Sequence, residues 1–147
     1  MTPAAFADLL DRAYVEMRPW TAKDVAETLS TPHCVFLTRP NGGLIARIVA
    51  GECEILALAT DPQMQRQGVA SSLLTELFGL ARKSDVETVF LEVAARNTPA
   101  RQFYATQGFA QIGTRRGYYL LRDGTKDDAL VLSRHLGPSW PDATSTS

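Results

Sequence analysis

Cysteine and histidine are scarce in this chain, two of each in 147 residues. Cys34 and Cys53 lie in or beside apolar, strand-like runs, and they read as small core thiols in a reducing compartment rather than as a disulfide. Their spacing relative to His33 and His135 fits no zinc pattern, so no metal is expected. Net charge is also lacking. A formal value of −1 gives no field for nucleic acid or an anionic membrane, and Arg115-Arg116 is a local pair rather than a patch. No apolar run approaches the roughly 20 residues that a membrane helix needs. The N-terminus lacks a basic start followed by an apolar core, so it does not read as a secretory leader. These absences point to a cytoplasmic protein that makes no direct contact with nucleic acid or membrane. Whether it is a monomer or a dimer is left open.

What is present is ordinary globular material, 45% hydrophobic and 21% charged, enough for one domain with a sizeable core over residues 1–136. Residues 137–147, with Pro138, Pro141 and a Ser/Thr run, hold too little apolar content to pack and read as a tail. Phe6, Leu9, Leu10 and Ala13 make one face of a helix from Pro3 to Tyr14. Thr21 begins a T-x-x-D start resembling a capping box, for a short helix reaching Leu29. Strands follow at Cys34 to Thr38, Leu44 to Ala50 and Glu54 to Thr60, separated by turn signals at Pro40-Asn41-Gly42-Gly43 and at Gly51. A helix from Val69 to Arg82 carries the stripe Leu73, Leu74, Leu77, Phe78 and Ala81. Thr88 to Ala94 is a strand. Thr98 as cap with Pro99 at the first helical position starts a short helix that Gly108 ends. Ala110 to Arg115 and Asp128 to Arg134 are the last two strands. This order predicts an α/β (α+β) fold: a mixed, mostly antiparallel sheet flanked by helices. The strand–helix–strand unit from Ile55 to Ala94 should cross over right-handed, making its two strands parallel.

Chemistry concentrates where the third strand meets the third helix. Asp61-Pro62-Gln63-Met64-Gln65-Arg66-Gln67-Gly68-Val69-Ala70 is a strand-to-helix loop. A first helical turn has unpartnered N–H groups at the positive end of its dipole, so it is suited to a phosphate. Gly68 lets a ligand approach the backbone, and Arg66 adds an anion donor. Glu92 stands inside Val89-Phe90-Leu91-Glu92-Val93, sharing a face with Phe90 and Ala94. A carboxylate partly withdrawn from water can act as a general base, although an outward-facing or salt-bridged glutamate fits the pattern equally. Tyr104 in the following helix reads by itself as a core tyrosine with its hydroxyl at the rim. Asn97 reads as a residue bonded to its local backbone.

Together these positions resemble the GNAT superfamily of N-acetyltransferases, and within it the bacterial ribosomal-protein-alanine N-acetyltransferase (RimI-like) type. The resemblance runs from about Ala50 to Arg134. It rests on Asp61-Pro62, Gln65-Arg66-Gln67-Gly68-x-Ala70, Leu91-Glu92-Val93, Arg96-Asn97, Phe103-Tyr104, Gly108-Phe109, Arg115-Arg116-Gly117-Tyr118-Tyr119 and Asp128-Ala129, with Pro19-Trp20 near the start. It implies acetyl-CoA as donor, leaving as coenzyme A. The pyrophosphate would lie on Arg66, Gln67, Gly68, Val69, Ala70 and Ser71, and the pantetheine arm along Leu58, Ala59 and Thr60. Asn97 matches a cofactor contact, Glu92 the proton acceptor and Tyr104 the proton donor. Trp20, Arg115, Tyr118 and Tyr119 fall where the family forms its acceptor groove, although edge or core packing explains Trp20 and the tyrosine pair equally well. The implied acceptor is a protein N-terminal alanine amine of the ribosomal type. The alternatives are a small-molecule amine, or an acyl-CoA-binding module without catalysis. Family members usually begin with a strand. Here that edge strand is either absent or improvised from Met1 to Ala4. Gly117 stands where relatives often carry Asn.

Overall fold

The computed structural model describes residues 1–14, 20–64 and 68–137. The elements follow the expected order: α1 (Pro3–Ala13), α2 (Ala22–Leu29), β1 (Cys34–Arg39), β2 (Gly42–Val49), β3 (Glu52–Thr60), α3 (Val69–Lys83), β4 (Thr88–Ala94), α4 (Thr98–Thr106), β5 (Ala110–Leu120) and β6 (Lys126–His135). The segment expected as a tail lies outside the described residues from 138 onward. The six strands form one sheet in the order β1-β2-β3-β4-β6-β5. Only β3 and β4 run parallel. Among the described residues no strand precedes α1, and Met1 and Thr2 pair with nothing in the sheet. β1 is therefore an edge.

Local signals account for most boundaries. The Thr2 hydroxyl accepts from the Ala5 N–H at 3.0 Å and starts α1. Thr21 and Asp24 close a reciprocal capping box on α2, at 3.0 and 2.9 Å. Ala50 and Gly51 both take positive φ, 54° and 79°, as a tight hairpin between β2 and β3 requires. The α4 start differs from the sequence expectation. Asn97, not Thr98, is its cap, with Oδ1 accepting from the Ala100 N–H at 3.2 Å. Asparagine caps better than threonine, and it takes that position because the chain turns one residue earlier. The last hairpin is also longer than expected, so Tyr118 and Tyr119 lie within β5 rather than beside a loop.

Each face of the sheet carries a core. Leu73, Leu74, Leu77, Phe78 and Ala81 of α3 and Tyr104 of α4 pack on Leu44, Ala46, Cys53, Ile55, Val89, Leu91, Leu130 and Leu132. On the other face Phe6, Leu9 and Leu10 of α1 and Val25 of α2 cover Ile45, Ala57 and Ala59. Gly42 and Gly43, expected in a turn, are strand residues. A Cβ on Gly43 would stand 2.7 Å from the Phe6 ring, and one on Gly42 2.7 Å from Val69 Cγ1. The two glycines let α1 and the start of α3 press onto β2.

One irregularity shapes the rest. Ala46 faces Ile55 and Ile45 faces Ala57, so Leu56 is an extra residue in β3. A bulge bends its strand and shifts the side-chain alternation by one. Cys53 and Ile55 point to the α3 core, but beyond the bulge Ala57 and Ala59 point to α1. Pairing of β3 with β4 stops at the same place, the last pair being Ile55 with Leu91. Past it the parallel strands separate.

Candidate active site

The separation of β3 from β4 opens a cleft of about 170 Å³. Its walls are Ile55 to Leu58 of β3, Leu91 to Ala94 of β4, Leu10, Asp11 and Tyr14 at the end of α1, Asn97, Ala100 and Tyr104 of α4, with Trp20 and Tyr119. Six of the residues singled out from the sequence therefore meet in one place: Trp20, Leu58, Glu92, Asn97, Tyr104 and Tyr119. Trp20 both lines the cleft and packs against the α1–α2 core. Tyr104 likewise has both a core contact and a cleft contact. Its ring sits edge-on to Phe103 and Phe109, with centroids 5.3 and 5.5 Å away, while the residue borders the cleft.

Ala59 and Thr60 continue β3 above the cleft. There the β2 side is paired to Gly43 and Gly42 and the other side has no strand partner. Gly68, Val69, Ala70 and Ser71 form the start of α3. Gly68 is the cap residue in a left-handed conformation, φ 77°, with no side-chain capping bond. Among the described residues nothing lies within 4 Å of where its Cβ would stand. The Ser71 hydroxyl accepts from Gln107 Nε2 at 3.0 Å, tying the start of α3 to the end of α4. Arg66 and Gln67 lie outside the described residues.

Two carboxylates, Asp11 and Glu92, and three tyrosines line the cleft. Burial pushes the Tyr14 hydroxyl up to about 12. Burial first, then the neighbouring Tyr14 and Tyr119, puts Tyr104 well above the ordinary tyrosine value. Tyr119 is raised by burial and then by Glu92. All three hydroxyls therefore keep their protons through the neutral range and are hydrogen-bond donors there. Tyr14 uses its proton on the Leu58 carbonyl, directly on the separated part of β3. This residue was not singled out from the sequence. It extends the α1 stripe four residues beyond Leu10, but its contact with Leu58 is a long-range one.

Glu92 lines the cleft and is largely withdrawn, its side chain 19% exposed. It does not reach into the cleft unpartnered. Nη1 of Arg115 donates to both carboxylate oxygens, at 3.0 and 3.2 Å. Arg115 does not line the cleft. It reaches Glu92 from β5, and both border a second groove of about 540 Å³ on the uncovered half of the α1–α2 face. The Tyr118 ring lies under the guanidinium, 4.0 Å from Cζ to the centroid. A bulge in β5 between Arg115 and Tyr119 makes room for this stack. Gly117 in that bulge has φ 61°, and its N–H donates to Asp128 at 2.9 Å. Asparagine also tolerates this conformation.

The mixed sheet is thus split between two parallel strands, with the start of α3 following the unpaired end of β3 and with Glu92 and Tyr104 both lining the split. The chain belongs to the acetyltransferase (GNAT) family, whose model matches residues 4–109. It is similar to the ribosomal protein bS18-alanine N-acetyltransferase of Escherichia coli K12, 33% identical over 86% of this chain and 90% of the relative. The N-alpha-acetyltransferase RimI of Mycobacterium tuberculosis is 29% identical over 89% and 85% of the two chains. A crystal structure of the ribosomal-protein-S18-alanine N-acetyltransferase from Escherichia coli superposes with a TM-score of 0.79 at 30% identity, covering 98% of this chain and 92% of that one. The protein is thus an acetyl-CoA-dependent N-acetyltransferase. Among the described residues no helix is long and apolar enough to cross a membrane, and no cluster of three or more metal-ligating side chains occurs.

Proposed function

We propose that the acceptor is a protein N-terminal alanine amine, of the kind named for the bS18-modifying relatives, and that Glu92 and Tyr104 carry the proton transfers. The observation that carries this reading is the meeting of Glu92, Tyr104 and the unpaired stretch of β3 in one cleft. The names of the relatives support the acceptor class.

The chain fits an acyl-CoA. Past Ile55 the side of β3 away from β2 has no strand partner, with the Leu58 carbonyl there already accepting from Tyr14, and the start of α3 from Gly68 to Ser71 offers N–H groups to a pyrophosphate. Arg66, Gln67 and Asn97 complete the set by their place in the family pattern. When bound, acetyl-CoA supplies an activated acyl carbonyl and a thiolate leaving group. The remaining steps are those of the protein. An N-terminal amine has a pKa near ~8 and is mostly protonated at neutral pH. Glu92, directly or through a water, takes that proton and frees the nitrogen lone pair. A β3 amide near Leu58 holds the negative charge that develops on the carbonyl oxygen. As the carbon–sulfur bond breaks, Tyr104 donates to the sulfur and recovers a proton from the nitrogen, which must lose its second one. An ordinary thiol titrates at about 8.5, below any tyrosine. Tyr104, raised further, therefore releases its proton only as it regains one. No cysteine is needed as a nucleophile. Cys53 is fully buried, and burial with Glu54 nearby pushes its thiol up to about 12. Trp20, Tyr118 and Tyr119 border the acceptor side.

The test is turnover with acetyl-CoA and a peptide beginning Ala-Arg, following thiol release and peptide mass. Stoichiometric acetylation at the N-terminus is expected. Turnover with small amines but not with peptides overturns the polypeptide acceptor, and coenzyme A binding without turnover on any amine overturns the catalytic role of the cleft.

A further inference from the structure

We infer that Arg115 is a displaceable counter-ion on Glu92 that competes with the acceptor's ammonium for the same carboxylate, so that acceptors are selected by how well they compete with it. This rests on the reading of Glu92 as the group that meets the amine. A carboxylate only 19% exposed needs a cation beside it, because an unpaired buried charge is costly. Arg115 supplies one through a two-oxygen contact. Yet the Arg115 side chain is 54% exposed, and an ion pair with one member in water is weak and easily exchanged. An ammonium that meets Glu92 must share its charge and oxygens with the guanidinium or displace it.

The surroundings suit an exchange. Arg115 rests on the exposed face of Tyr118 at 4.0 Å, an alternative site for its charge once Glu92 is taken. The Gly117 bulge that creates this stack is pinned to Asp128, so Tyr118 stays in place when the arginine lifts. Glu92 borders both the reaction cleft and the second groove, and Arg115 only the groove. The guanidinium thus leaves toward the groove and solvent while the amine enters from the cleft side. The sequence reading of Arg115 as an acceptor contact predicts the opposite consequence. An acceptor contact strengthens acceptor binding, whereas a counter-ion competing for the same carboxylate weakens it.

The experiment compares the wild-type protein with R115M, R115Q and R115K, and repeats R115M in an E92Q background. One readout is the KM for the Ala-Arg peptide at saturating acetyl-CoA. The other is calorimetric binding of the same peptide with a trimethylated N-terminus, which keeps the positive charge but has no lone pair and needs no chemistry. Removing the guanidinium is expected to lower both the peptide KM and the Kd of the trimethylated peptide about three-fold, within the range of a half-exposed ion pair. R115K should restore wild-type values, the acetyl-CoA KM should not move, and R115M should have no effect once Glu92 is Gln. A rise in either constant in R115M and R115Q makes Arg115 an acceptor contact and overturns the inference. Unchanged constants, or an equal drop in the E92Q background, overturn it too. Failure of the base reading shows separately, as an E92Q protein that turns over at the wild-type rate.

Discussion

Gly42→Ala is the sharpest probe of how the fold holds the donor site. The added methyl would stand 2.7 Å from Val69 Cγ1 and 3.3 Å from both the Ala59 carbonyl and Thr60 Cγ2. Ordinary carbon contacts begin near ~3.5 Å, so close to 1 Å must be found. Val69 cannot swing aside, because a β-branched side chain in a helix has essentially one rotamer. The Ala59 carbonyl is backbone and holds its place in the β2–β3 ladder. The strain must therefore move the first turn of α3, where Val69 is the first helical residue after the Gly68 cap. Overpacking of this kind costs about 1–3 kcal/mol. The loss of unfolded-chain freedom returns about 0.4–1 kcal/mol. A net destabilisation of about 1–2 kcal/mol follows, which for a domain of this size lowers Tm by about 2–8 °C. The functional consequence is specific: the KM for acetyl-CoA should rise while the acceptor KM stays put, because α3 starts beside the donor strand and does not line the cleft. Gly79→Ala in the same helix is the control. Nothing lies within 4 Å of its would-be Cβ, so it should raise stability by about 0.5–1 kcal/mol and leave both KM values alone. Thermal melts with steady-state kinetics on both substrates decide it. A Gly42→Ala protein with wild-type Tm and wild-type acetyl-CoA KM would refute the link between β2 packing and the seat of α3.

Glu92→Gln should cut the rate at neutral pH by about 10²-fold or more, and by less at pH above ~9, where the amine is already free. A loss of the same size at every pH would remove Glu92 as base. Tyr104→Phe should lower kcat with little change in either KM, and an unchanged kcat would leave its hydroxyl without a role. Cys53 and Tyr14 are acids whose pKa values are raised in the fold, both to about 12, from ordinary values of 9.0 and 10.0. Their neutral forms favour the folded state, so that stability is complete below pH 9 and is lost as pH climbs toward 12. Chemical denaturation across that range should show a steep alkaline decline that Cys53→Ser shifts to higher pH, and a flat profile to pH 12 would contradict the burial of both groups.

Much of the fold was legible because its causes are local. The Thr21–Asp24 box, the five-residue stripe of α3 and the alternation of Thr88 to Ala94 need only near neighbours in the chain to act. The strand-to-helix loop, Glu92, Asn97 and Tyr104 were legible as a set only through their resemblance to a family pattern, because each residue alone has an ordinary structural reading. Arg66 and Gln67, within that set, fall outside the described residues.

What could not be read arises between segments far apart in the chain. Gly42 and Gly43 look like turn residues, yet they are strand residues kept small by Val69 and Phe6, one on each face. Leu56 gives no sign of being the extra residue that bends β3 and opens the cleft, because Ile55, Leu56, Ala57, Leu58 and Ala59 are all apolar and carry no alternation. Tyr14 meets Leu58 across 44 positions of chain, and Arg115 meets Glu92 across 23. Residue types and spacing decided which chemistry this chain can perform. Packing across the sheet decided where the cleft opens and which cation waits on its carboxylate, since those contacts exist only once β3 has bent away from β4 and β5 has bulged at Gly117.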